Sequence, residues 1–138
     1  MLIAAGYTYD PLGGYLASSE LYDVGLGYSS DWQPEIATGS SILRPNGRLW
    51  LVGSRFQGIS QGSGANTQDS STNYPVVQLR SVDNSQVAFL PVDRVGGWSN
   101  TRFLSRRVSD FPSGPALVMI FSNGIPSASK YLVVGMQP

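Results

Sequence analysis

Gly114-Pro115-Ala116-Leu117-Val118-Met119-Ile120-Phe121-Ser122-Asn123-Gly124-Ile125-Pro126-Ser127 is the stretch that decides the fold. Its centre, Ala116–Phe121, is the most apolar run in the chain, and it stops at Ser122-Asn123-Gly124. A short apolar run closed by turn residues reads as a buried strand rather than a helix. Tyr131–Val134 follows as the last strand, so the end of the chain reads as a closing hairpin.

The same grammar extends towards the N-terminus. Glycine (16) and proline (9) punctuate the sequence, and short apolar or alternating runs lie between them. Helical periodicity is nearly absent. Expected strands are Leu2–Ala5, Tyr15–Tyr22, Ile42-Leu43, Arg48–Val52, Val76–Val82, Gln86–Val92 and Thr101–Val108, before the closing pair. Turns fall at Asp10–Gly14, Pro45-Asn46-Gly47 and Asp83-Asn84-Ser85, where Pro presets φ and Gly, Asn and Asp accept turn geometry. Many short strands separated by turn signals indicate an all-β sandwich or barrel. The expected core is Leu49, Leu51, Phe56, Val77, Leu79, Val87, Phe89, Phe103, Leu117, Met119, Phe121, Leu132 and Val134. Val118, Ile120 and Val133 are expected to face the second sheet.

The chain has 138 residues, with no cysteine and no histidine. That excludes a disulfide scaffold, thiolate or imidazole metal ligation, and cysteine or histidine catalysis. Nine basic and nine acidic side chains balance to zero net charge. Eight of the nine basic residues are Arg, scattered from Arg44 to Arg107, and only Arg102, Arg106 and Arg107 cluster. A nucleic-acid binder usually shows a basic stripe. These arginines read instead as a solvated strand face, with an anion or partner contact as the sharper alternative. The expectation is therefore no nucleic-acid partner. The N-terminus lacks a signal-peptide pattern and no apolar run is long enough to span a bilayer, so the compartment stays open.

Gln57–Asn73 is polar, rich in Gly and Ser, and unusually long for a connection inside a compact domain. It reads as a flexible connection or a binding loop. Asn66, Gln68, Asp69, Ser70 and Asn73 supply side-chain oxygens, but Asp69 is the lone carboxylate among them, too few for a calcium loop. No metal and no cofactor are expected.

Ile3-Ala4-Ala5-Gly6-Tyr7 followed by Ala17-Ser18-Ser19-Glu20-Leu21-Tyr22-Asp23 resembles the core of a kelch repeat, with Ala5-Gly6 where a Gly-Gly pair is usual. One repeat cannot bury its own face. The remainder resembles the immunoglobulin-like early-set domain that follows the propeller in galactose-oxidase-like proteins. The residues that carry this are Leu51–Gly58, Tyr74–Arg80, Phe111–Val118 and Ser122–Ser127. The resemblance implies residues 1–32 as a partial kelch-like hairpin and linker, and residues 33–138 as an immunoglobulin-like antiparallel β-sandwich. It implies the C-terminal part of a longer kelch-type protein, a family often exported. The histidine that such a domain gives to copper in galactose oxidase has no counterpart here.

Catalytic arrangements fare no better. The carboxylates are spread singly, unlike the facing pair of a glycosidase. Lys130 beside Ser127 and Ser129 lies in a turn, and Gly53–Gly64 lacks the Gly-Lys-Ser/Thr of a phosphate loop. The expectation is a non-catalytic interaction or structural module, with a carbohydrate-binding module as the alternative. Trp98, following Gly96-Gly97 in a turn and expected to be exposed, and Tyr74 are the candidate contact aromatics, with Asn66, Asp69 and Asn73 as polar partners. An exposed aromatic row would favour sugar, and a flat apolar patch would favour protein. The hairpin of residues 1–23 carries unpaired edges, which suggests self-association into a homodimer.

Overall fold

The computed structural model describes residues 2–8, 14–21, 28–59, 74–95 and 97–135. Among these residues the regular structure is eleven strands and one turn of 3-10 helix, Ser30–Trp32. The first two strands, β1 (Leu2–Thr8) and β2 (Gly14–Leu21), form a separate two-stranded antiparallel sheet with a register shift between Ala4 and Gly6.

Two further sheets face each other. The smaller contains β3 (Glu35–Gly39), β5 (Arg48–Ser54) and β8 (Arg102–Arg107), in the order β3-β5-β8. The larger runs β4 (Ile42–Leu43), β11 (Lys130–Val134), β9 (Gly114–Ser122), β6 (Val76–Ser81), β7 (Val87–Leu90), with β10 (Ile125–Pro126) paired to the end of β9. Leu49, Leu51, Phe56 and Phe103 from one side meet Val77, Leu79, Val118, Ile120 and Leu132 from the other, in a single buried cluster. The chain is an all-β sandwich.

Local chemistry explains the corners. Asn123 and Gly124 both take positive φ, 48° and 81°, so the chain reverses within two residues and β10 returns antiparallel to β9. Asn46 (φ 56°) and a Gly47 N–H donated to the Arg44 carbonyl at 2.8 Å turn the chain from β4 into β5. At Ser40-Ser41 the chain leaves one sheet for the other. The Ser40 N–H still bonds to Trp50 across the small sheet, while the Ser41 carbonyl accepts from Val133 in the large one. This switch delivers β4 parallel to β11, so the large sheet is mixed rather than purely antiparallel.

Strand β9 is apolar on both faces, and this alters the expected core. Ala116, Val118 and Ile120 point inward, while Leu117, Met119 and Phe121 lie on the outer face and are only half-buried. Cross-strand pairing carries that parity to its neighbours. Gln78 faces Met119 and Phe89, Arg80 faces Leu117 and Val87, and Leu117 faces Tyr131. Val87, Phe89 and Val133, expected inside, are therefore outward and exposed. The outer face is therefore rich in apolar side chains but interrupted by Gln78 and Arg80.

Candidate functional site

The site begins where the chain leaves β7. Pro91 has no N–H to continue the ladder, and Val92 and Trp98 bridge to Ser105 and Phe103 of the small sheet, along the edge of β8 that β5 leaves free. The Asp93 N–H bonds to the Leu104 carbonyl at 2.9 Å, the Arg106 N–H to the Pro91 carbonyl at 2.8 Å, and the Leu104 N–H to the Gly97 carbonyl at 2.6 Å. Between these anchors the chain turns tightly. The Asp93 carboxylate accepts from the Val95 N–H at 3.1 Å, and Arg94 projects into solvent.

A β-bulge sets the neighbouring arginines. Arg48 faces Arg107 and Trp50 faces Leu104, so Leu49 alone opposes both Ser105 and Arg106. The extra residue breaks the two-residue alternation, and consecutive Arg106 and Arg107 both end up exposed. Ser105 repairs the ladder. Its fully buried hydroxyl accepts from the Leu49 N–H at 2.8 Å and donates to the Arg106 carbonyl at 2.7 Å.

Loop, strand β5 and strand β8 thus bring Arg48, Arg94, Arg106 and Arg107 around one shallow basin of about 550 Å³, together with Asp93 and Val95. Among the described residues Asp93 is the single acid lining it, and it pairs with Arg48 at 3.2 Å. Arg107 donates to the Asn46 carbonyl at 3.2 Å. Among the described residues no carboxylate pairs with Arg94, Arg106 or Arg107. Like charges gathered at close range repel unless an anion joins them, and guanidinium groups match phosphate and carboxylate oxygens two at a time. All nine basic residues lie between Arg44 and Lys130, while Asp10, Glu20, Asp23, Asp31 and Glu35 precede them. Zero net charge hides this asymmetry.

Aromatic side chains adjoin the basin. Tyr74 stands edge-on to Trp98, with ring centroids 5.4 Å apart. Both line a second hollow of about 370 Å³ with Arg94 and Arg106. Trp98 is half-buried and packs on the core, its backbone bridged to Phe103, whereas the turn context suggests an exposed ring. Tyr74 is exposed and also lines a third hollow, of about 430 Å³, with Val76, Gln78, Phe89 and Phe121. Tyr74 and Trp98 are therefore brought together, whereas Asn66, Asp69 and Asn73 lie outside the described residues. The sequence does not single out Arg48, Arg94, Phe89 or Phe121 as site residues. The two arginines are isolated in sequence and the two phenylalanines are indistinguishable from core residues.

No family model matches the sequence and no curated protein matches it. A solved structure of similar fold is that of a "putative bacterial DNA binding protein" from Bacteroides vulgatus ATCC 8482, 12% identical, with a TM-score of 0.52 over 97% of this chain and 68% of that one. The expectation that excluded nucleic acid is corrected by this finding. The scatter of arginines in sequence, on which the exclusion rested, is undone by the bulge and the crossing loop. At 12% identity the likeness establishes one thing about this chain, its fold.

Proposed function

We propose that this chain is a non-catalytic binding module that holds DNA through the arginine basin. The observation that carries the reading is the convergence of Arg48, Arg94, Arg106 and Arg107 around one carboxylate among the described residues, that of Asp93. Phosphate groups spaced along a strand suit such a cluster, because each neutralised phosphate releases condensed counterions. The DNA-binding name of the structurally similar bacterial protein supports the choice of polymer. The sugar alternative finds less support. The outer face of the large sheet carries Val76, Val87, Leu117, Met119 and Val133 between its aromatic residues, not an aromatic row.

The kelch-type parentage is part of the same proposal. The antiparallel pairing of Leu2–Thr8 with Gly14–Leu21 supports it, since a kelch-like blade motif places two such strands side by side. The sandwich would then be the binding module of that longer protein.

The test is a fluorescence-anisotropy titration of labelled 20-nucleotide DNA, single-stranded and duplex, with the full chain at low salt. Binding should weaken as salt rises, and Arg94→Ala/Arg106→Ala should weaken it about ten-fold or more. These side chains are exposed, so the variant should keep its unfolding midpoint. Absence of binding to either form, or unchanged affinity in the double variant, overturns the proposal.

A further inference from the structure

Tyr74 belongs at once to the hollow beside Arg94 and Arg106 and to the apolar hollow formed by Val76, Phe89 and Phe121. From this continuity, and resting on the DNA-binding reading above, we infer that the ligand is single-stranded DNA, with its phosphates in the arginine basin and unpaired bases against Tyr74 and Phe89 on the large sheet.

Geometry places the parts in order. Val76 and Phe121 face each other across β6 and β9, and Phe89 faces Gln78 one pair further along. All four therefore project from one face of the sheet. Phe89 is 61% exposed and Tyr74 is 39% exposed, so both offer ring surface that costs the free protein hydration and that a base would cover. Gln78 also lines the hollow, and its side-chain amide is a group able to donate to and accept from a base edge. The hollow, about 430 Å³, lies in the range of small-ligand sites.

A duplex cannot use this surface, because its bases are stacked on each other and its rings are not available to a sheet. A single strand can, since base-on-aromatic stacking works for every base and needs only a basic track for the backbone. Arg94, Arg106 and Arg107, which have no carboxylate partner among the described residues, supply that track, and their charge complements the strand. One occupant thus accounts for both the basin and the exposed aromatic residues beside it.

The experiment compares three labelled 20-mers at one salt concentration: oligothymidine, an abasic strand of the same length, and a duplex. Each is titrated with the full chain, Phe89→Ala and Tyr74→Ala, and light scattering is run on the same samples. Oligothymidine should bind about ten-fold or more tighter than the abasic strand and the duplex, and Phe89→Ala should remove most of that preference. Equal binding of all three ligands, or a preference that survives both substitutions, overturns the inference while leaving the arginine reading in place. No binding to any ligand overturns both. A chain that is dimeric in light scattering and monomeric as Phe89→Ala also overturns it, because the face would then be closed by a second copy.

Discussion

Asp93 reaches Arg48 across the arginine basin at 3.2 Å, and the same carboxylate accepts the Val95 N–H that folds the loop. One acid thus restrains the charge of the site and shapes it. Asp93→Asn separates the two roles, since an amide oxygen still accepts from Val95 while the negative charge is gone. Affinity for single-stranded DNA should rise about five-fold at low salt, roughly the effect of removing one nearby like charge from the ligand's path. The ion pair is half-exposed on the arginine side, so stability should change by less than about 1 kcal/mol. Anisotropy titrations and urea unfolding check both. A fall in affinity would mean that Asp93 serves the site mainly by holding Arg48.

Ser105 carries the bulge. Its hydroxyl is fully buried and is the acceptor for the Leu49 N–H. Ser105→Ala leaves that donor unpaired in the core, at a cost of about 1–3 kcal/mol. Urea unfolding should show a lower midpoint with an unchanged slope, the mark of lost stability without a change in exposed surface. Since the bulge is what turns Arg106 and Arg107 out together, DNA affinity should fall as well.

Gly97 is needed for its lack of a side chain. A Cβ there would lie 2.4 Å from the Asp93 carbonyl oxygen and 2.6 Å from the Val92 side chain. The backbone has little room to retreat, because the Gly97 carbonyl is tied to the Leu104 N–H at 2.6 Å. Gly97→Ala should therefore destabilise by about 1–3 kcal/mol and displace the turn that presents Arg94. Thermal unfolding and DNA titration on the same preparation measure the two effects.

Much of the fold is legible in the sequence because turns are written locally. Asn123-Gly124, Asn46-Gly47 and Asp83-Asn84-Ser85 mark reversals that the structure makes. Strand β3 escapes a sequence reading, since Glu35–Gly39 is short, largely exposed and broken by a register shift between Ile36 and Thr38. The inward face of β9 is equally hidden, because Ala116–Phe121 is apolar at every position and no alternation marks a side. The arginine basin depends on pairing between residues far apart in the chain, Arg48 with Arg107, and on a bulge with no local signature. Such a site becomes visible when strand register is known. Tyr74 and Trp98 could be named as contact aromatics from the sequence, but their contact with each other could not.

Phe56 and Phe89 put the register to a direct test. Both look like core residues in the sequence, each sitting in or beside a strand. Phe56 is fully buried between the sheets, beneath a chain held by its N–H to the Asn100 carbonyl and by the Ser122 hydroxyl on its own carbonyl. Phe89 is 61% exposed on the outer face. Removing the Phe56 ring opens a cavity that the rigid sheets cannot close, so Phe56→Ala should cost about 3–5 kcal/mol. Phe89→Ala removes a ring that already meets water and should change stability by about 0.5 kcal/mol or less. Urea unfolding of the two variants against the parent chain reads the difference. Comparable losses in both would mean that β7 presents its other face to the core, and with it the aromatic surface beside the arginine basin would disappear.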